Sequence, residues 1–429
     1  MNRRSTLLCA LALSGCLTSM PNATGSTAPT SNAKAPSETA KTADGGSAKA
    51  EAAPTRKPIQ RIVGYFPDWS YSRDPKCRYT VEDIDPTLFT HLNFAFARVD
   101  GGDKSAPTFK LAPFDKTDLG PNGQYARFVG LKKKNPKLKL LLSVGGWTHS
   151  DPPYDWIFSA MAETPAGRKQ FVDSAIKYLR DNGFDGLDLD WEYPSEPTRG
   201  GRAMDTANYV KLLRDVRAGF DGEKLAAGKE KLLFTTASPA GVYIKWYDLP
   251  KIHPSLDWIN LMSYDYSGNW DHRTGHNAPN PDYGPGVAAS VSIYEGFGVP
   301  ASKIVVGLAA YGYTFGGAEE AKVGTPSTTA GPKQHCTETP GLIAYSEMME
   351  ILNSGRAKSE WDDNAHVPFA YDEKAKIFFS YDDPRSWNQK LDFIEAKGLG
   401  GAMIWEIDQD DFKHGNPLIS TVFKRLPKE

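Results

Sequence analysis

The 429-residue chain has almost no excess of either charge: 50 Lys and Arg stand against 52 Asp and Glu, a net of −2. So even a balance leaves no electrostatic footprint for nucleic acid or an acidic polymer, and the lysine-rich stretch 132–139 reads as a solvated face. Histidine is scarce, with eight residues, and His272, His276 and His366 fall at no metal-ligand spacing. Neither a metal nor a cofactor is expected. No glycine-rich phosphate loop follows the first strand-like run, which argues against a dinucleotide-binding open sheet. The apolar run 7–13 is too short to cross a bilayer as a lone helix. Ordinary hydrophobic content over this length is still ample for a globular core.

The amino terminus stands apart from the fold. Arg3 and Arg4 precede the apolar run, which ends in Leu13-Ser14-Gly15-Cys16. This is an export signal, and its small residues before a cysteine resemble the cleavage box of a bacterial lipoprotein. Residues 1–16 are then a lipoprotein-type signal, with Cys16 lipidated as the first mature residue. The alternative is a plain secretory signal with an incidental cysteine. The expected location is the cell envelope, at the outer membrane or cell surface, with the membrane touched only through the lipid; release to the medium is the variant. Residues 17–58 are rich in Ala, Ser, Thr, Pro, Gly and Lys and poor in large apolar residues, so they cannot order themselves. As a tether they would reach roughly 35 Å by random-coil scaling. Cys9 leaves with the signal and Cys16 carries lipid, which leaves Cys77 and Cys336 as a candidate disulfide.

From residue 59 to 429 strand-like and helix-like stretches alternate, as in an α/β domain with a parallel sheet. Eight strands are predicted, at 61–66, 91–96, 138–144, 183–192, 231–237, 258–264, 303–309 and 400–405. Phe171, Ala175, Tyr178 and Leu179 form a helical stripe ending at Asn182-Gly183. Tyr209, Leu212, Leu213, Val216 and Phe220 form another, with Thr206 as N-cap. Trp387, Leu391 and Ile394 form a third after Asp382-Asp383. Eight such units indicate a TIM (β/α)8 barrel, with a doubly wound open sheet as the runner-up. The span 315–379 between strands seven and eight is too long for a loop and is expected to hold structure of its own, a helix near 342–352 and strands at 367–371 and 376–381.

Barrel enzymes carry their chemistry at the carboxyl ends of the strands. The ends of the predicted strands gather aromatic residues: Tyr65 and Trp69, Phe94, Trp147 after Gly145-Gly146, Tyr193, Met262 with Tyr264 and Tyr266, Trp270, and Trp405. Sugar rings present apolar faces that stack on such side chains. Strand four, GFDGLDLDWEYP, adds acids. Side chains alternate along a strand, so Asp188, Asp190 and Glu192 share one face, roughly 6.5–7 Å apart in succession. Leu187, Leu189 and Trp191 share the other. Crowded carboxylates repel, so at least one should stay protonated near neutral pH, as a general acid requires. Asp185 falls on the opposite face, where a structural role bonding backbone amides is expected.

The pattern Asp185, Asp188, Asp190, Glu192 followed by Tyr-Pro resembles the signature of glycoside hydrolase family 18, the chitinases and related proteins. SVGGW on strand three, MSYDYSG on strand six and GLGGAMIWEID on strand eight extend the resemblance over about 60–410. The insertion at 315–379 resembles the small α+β element of the chitinases with a deep cleft. A monomer is expected. The resemblance implies an enzyme acting on chitin or chitooligosaccharides by a retaining, substrate-assisted route, an exception to the two-carboxylate scheme. It implies Glu192 as general acid and base, Asp190 as the group orienting the substrate's acetamide, and Asp188 as its partner by a shared proton or hydrogen bond. Tyr264 and Asp265 would hold the acetamide from the far side, and Trp405 would floor the subsite of the distorted sugar. Tyr65, Trp69, Phe94, Gly146, Trp147, Tyr193, Met262 and Trp270 would line further subsites. Two other readings share these residues: an endo-β-N-acetylglucosaminidase acting on N-glycans or peptidoglycan, and a non-catalytic chitin-binding lectin.

Overall fold

The computed structural model describes residues 57–280 and 284–427. The expected signal with Cys16, and all but the last two residues of the expected tether, lie outside the described residues.

The described strands follow in order as β1 (Ile62–Pro67), β2 (His91–Asp103), β3 (Ala106–Pro113), β4 (Lys139–Gly145), β5 (Gly186–Asp190), β6 (Leu233–Pro239), β7 (Trp258–Met262) and β8 (Ile304–Ala309). Then come β9 (Tyr311–Gly316), β10 (Thr329–Ala330), β11 (Leu342–Ala344), β12 (Lys358–Asp362), β13 (Val367–Asp372), β14 (Ile377–Ser380) and β15 (Gly401–Trp405). Strands β1, β2 and β4 to β8, closed by β15 against both β8 and β1, form an eight-stranded parallel barrel. This is the expected TIM barrel. Each predicted strand is present, and the open-sheet alternative is excluded by the closing β1–β2 and β1–β15 pairs.

Alternation on β5 divides two cores. Leu187 and Leu189, with Trp191 just beyond, face the helix layer and pack with Phe171, Ala175 and Leu179 of the helix Pro165–Asn182 and with Tyr209, Leu213 and Val216 of the helix Asp205–Asp221. Fully burying each such aliphatic side chain is worth roughly 1.5–3 kcal/mol. Val63, Tyr65, Leu141, Val305 and Met403 fill the barrel interior. The first helix is capped as the sequence predicts at its end, by Gly183 at φ 79°, while Thr164 accepts the Gly167 amide at its start. The second departs from expectation. It begins at Asp205, and Thr206 is inside it with its hydroxyl on the Trp246 carbonyl, not at the cap. The third, Pro384–Lys397, starts from Asp383, which accepts the Ser386 amide at 2.7 Å.

Two features go beyond the sequence reading. Strand β2 runs on past the barrel and folds back as an antiparallel hairpin with β3. The insertion is a second, six-stranded antiparallel sheet ordered β10-β9-β14-β13-β12, with β11 also on β9. It carries one helix, Tyr345–Asn353, and the stretch 342–344 expected to open that helix is strand β11. Only Ala310 separates β8 from β9, so the barrel strand runs straight into the insertion. A Cys77–Cys336 disulfide, with Cα atoms 5.3 Å apart, ties the segment after β1 to the insertion. Such a bond fits an oxidising compartment. No helix among the described residues is long and apolar enough to cross a membrane.

Candidate active site

The carboxyl ends of the barrel strands bring the acids together. Strands β4 and β5 pair with Ser143 beside Asp188 and Gly145 beside Asp190. At Gly145 (φ 117°) a methyl group would sit 2.0 Å from the Asp190 carbonyl oxygen. At Gly146 (φ 77°) it would meet the Phe96 ring at 2.7 Å, and the Gly146 amide donates to the Asp190 carbonyl at 2.9 Å. Only glycine fits both demands.

Asp188 is fully buried inside the barrel. Its Oδ2 accepts from the Tyr65 and Ser143 hydroxyls, each at 2.7 Å. Its Oδ1 accepts from Thr235 at 2.6 Å and from Asn260 Nδ2 at 3.1 Å. Burial raises its carboxyl above the ordinary value and these four bonds pull it back. Both of its oxygens are thereby engaged. Asp190 is buried, and its Oδ1 has no hydrogen-bond partner among the described residues. Burial first, then the charges of Glu192 and Asp188, hold it well above the ordinary carboxylate range.

Glu192 follows β5 and is 8% exposed. Burial pushes its carboxyl from 4.5 to about 7; Arg199 and the Tyr193 hydroxyl pull it down, and Asp265 and Asp151 push it up. Loss of water, more than crowding by the strand's other acids, is therefore what keeps the proton. Asp185 lies at the strand's entrance, with Oδ2 on the Leu140 amide at 2.7 Å and Lys132 Nζ at 2.6 Å, a structural role as expected.

Across the cleft, Tyr264 is buried against Gly307 and meets Tyr311 edge to face at 5.9 Å. Asp265 follows in the left-handed region (φ 59°) and opens to the cleft. Its Oδ1 accepts from the Tyr311 and Tyr313 hydroxyls, the latter at 2.9 Å, and its amide donates to Asn277 Oδ1 at 2.9 Å. The surrounding protein raises its carboxyl, and the two tyrosines lower it. Both tyrosines belong to β9, so the insertion is part of the site's wall.

The aromatic residues divide. Trp405, at the end of β15, groups with Tyr65 (5.5 Å between ring centroids), Phe96 (5.8 Å) and Trp69 (6.3 Å). Trp69 stacks on Phe96 at 6.2 Å and 19°. Tyr193 stacks on Tyr243 at 4.5 Å and 13°. Trp147 lies under the Arg199 guanidinium, Trp270 stands edge-on to Tyr313 at 5.1 Å, and Met262 is half-buried at the end of β7. Phe94 does not join them. It faces outward into the helix layer, fully buried between Phe66, Tyr125 and Phe128. Phe94 shares that face with Leu92 by ordinary alternation, and the β2–β4 register slips only after Ala95, which turns Phe96 into the cleft.

Phe96, Tyr311, Tyr313, Asn277 and Asn260 are the residues the sequence reading misses. The slip in β2 leaves no mark in the residue pattern. The others reach the acids from strands and loops distant along the chain. Only the Tyr-Gly-Tyr after strand seven, an aromatic pair on one strand face, offered a signal.

Residues 61–410 match the family described as glycosyl hydrolases family 18. Chitotriosidase-1 of Mus musculus is 36% identical over 384 residues, covering 85% of this chain and 78% of its own length. A probable endochitinase of Caenorhabditis elegans is 36% identical over 387 residues, covering 84% of this chain but only 59% of its own length. Among solved structures, catalytic domain 2 of the Ostrinia furnacalis group II chitinase superposes with a TM-score of 0.77 at 30% identity, covering 85% of this chain and 96% of that one. Human YKL-39, described as a pseudo-chitinase with retained chitooligosaccharide binding, superposes with a TM-score of 0.75 at 33% identity, covering 85% and 99%.

Proposed function

Since the chain belongs to family 18 of the glycosyl hydrolases, we propose that it is a chitinase hydrolysing β-1,4 bonds between N-acetylglucosamine units with retention. The observation that carries this reading is a buried glutamic acid poised near neutral pH at the mouth of the barrel, beside an aspartate with an unbonded carboxyl oxygen.

Glu192 protonates the glycosidic oxygen, and the leaving sugar departs. No enzyme nucleophile is required, because the substrate's 2-acetamido oxygen attacks the anomeric carbon and closes an oxazolinium ring. Asp190 receives the acetamide N–H and stabilises the positive charge that develops there. Asp188, held inside the barrel by four hydrogen bonds, is the partner with which Asp190 shares its proton. Tyr264 and Asp265 hold the acetamide from the other wall, and Trp405 floors the sugar. Glu192, now a carboxylate, then takes a proton from water as the water opens the ring. Trp69, Phe96, Trp147, Tyr193 and Trp270 supply stacking surfaces along the cleft, with Tyr65 beneath them engaged on Asp188. The enzyme is exported and tethered through lipid on Cys16; Cys16→Ala should move it from the membrane to the soluble fraction, and an unchanged distribution would remove the anchor.

A family that also holds non-catalytic members makes turnover the deciding property. In Glu192→Gln, which keeps shape but removes the ionisable acid, turnover of a fluorogenic chitobioside should fall by several orders of magnitude while chitooligosaccharide binding persists. Near-normal activity would overturn the assignment, and a native protein inert on every chitin oligomer would mark it as a lectin.

A further inference from the structure

Arg199 lies in the turn Pro197–Arg199 after β5 and takes no part in the chemistry above. Its side chain is only 10% exposed, an expensive place for a cation unless its nitrogens find partners. Each of the three nitrogens donates. Nε donates to the Glu192 carbonyl at 3.3 Å, Nη2 donates to the Trp147 carbonyl, and Nη1 pairs with Asp151. The guanidinium carbon also lies 3.6 Å from the centroid of the Trp147 ring. The turn itself is pinned. Glu196 caps it and accepts from Trp246 Nε1 at 3.0 Å, and at Gly200 (φ 76°) a methyl would sit 2.2 Å from the Asp155 carbonyl oxygen.

We propose that Arg199 is a positioning residue that locks the Trp147 ring and the Glu192 backbone into one unit, so that a sugar stacked on Trp147 is held in register with the acid. The proposal rests on reading Glu192 as the acid and chitooligosaccharides as the ligand. A planar fork can span two carbonyls, a carboxylate and an aromatic face; an ammonium cannot. With one face of Trp147 covered by the guanidinium, stacking of a sugar is confined to the other. The same cation also opposes the proton on Glu192. The other groups facing that carboxyl are Tyr193, Asp265 and Asp151, with Asp190, Tyr243, Tyr247 and Tyr264 in electrostatic contact.

The test uses the full chain carrying Glu192→Gln, titrated with chitopentaose by tryptophan fluorescence. Adding Arg199→Lys should weaken binding roughly tenfold, and adding it to a Trp147→Ala chain should weaken it no further. Unchanged binding, or the same loss without Trp147, would overturn the positioning role while leaving the chitinase reading intact. If the Glu192→Gln chain binds no chitopentaose at all, the functional reading fails first and takes this one with it. In the enzyme with its acid intact, Arg199→Ala should carry the alkaline limb of kcat/KM upward by about one pH unit, and Arg199→Lys should leave it in place. A limb unmoved in Arg199→Ala would contradict the electrostatic part. Should the alanine chain fail to fold, the lysine chain still decides the positioning role, through binding.

Discussion

Glu192→Gln preserves the shape of the side chain and removes its titration, which turns the acid's surroundings into a measurable difference in stability. In the unfolded chain the carboxyl titrates near 4.5, and in the folded one burial raises it to about 7. Below 4.5 the group is neutral in both states and costs nothing to bury. As pH rises through about 7 the folded state must either hold its proton against the solvent or expose a charge to a dry site, and stability is lost. Over that interval the linkage amounts to about 3 kcal/mol, which glutamine does not lose. Urea unfolding of both proteins at pH 4.5 and pH 8.5 measures it; the groups away from the site titrate in both, and Asp190, relieved of the Glu192 charge, shifts the difference in the same direction. The variant should match the wild type at the lower pH and exceed it by up to about 3 kcal/mol at the higher. An advantage that does not change with pH, or a variant less stable at pH 8.5, would refute the claim that burial of this carboxyl sets its proton.

Other consequences are equally direct. Asp265 pushes the Glu192 carboxyl up, so Asp265→Asn should bring the alkaline limb of kcat/KM down by roughly half a unit to one unit; a limb that rises would contradict the electrostatics. The correction at β2 predicts a split between neighbours. Phe94→Ala should cost about 3–5 kcal/mol in unfolding experiments with KM on chitooligosaccharides unchanged, while Phe96→Ala should raise KM with a smaller loss of stability. The reverse pattern would return Phe94 to the cleft.

Most of the frame was legible because the barrel repeats one simple unit. Each parallel strand is a short apolar run followed by a helical stripe, and the residues that end each strand stand out as aromatics or acids. Alternation alone separated Asp188 from Leu187 and Leu189, and both sides lie as expected. It failed where the backbone breaks its own period. The slip at β2 turns Phe96 into the cleft and no residue type announces it, whereas Phe94, before the slip, lies with Leu92 where alternation puts it. It also failed for contacts set by closure in three dimensions. The hydroxyls that hold Asp265 come from 46 and 48 residues away, on a strand of the insertion. Crowding of the acids, visible in the sequence, gives the direction of the shift on Glu192, but its leading cause is burial, which depends on everything packed around the strand.

In the proposed mechanism the substrate's own acetamide does the work of a nucleophile beneath Glu192. Its most direct test compares chitohexaose with cellohexaose, which lacks the 2-acetamido group, following products by proton NMR at early times. The prediction is cleavage of chitohexaose with β-anomers formed first, and no detectable cleavage of cellohexaose. Comparable rates on the two, or α-anomers as the first products, would contradict it.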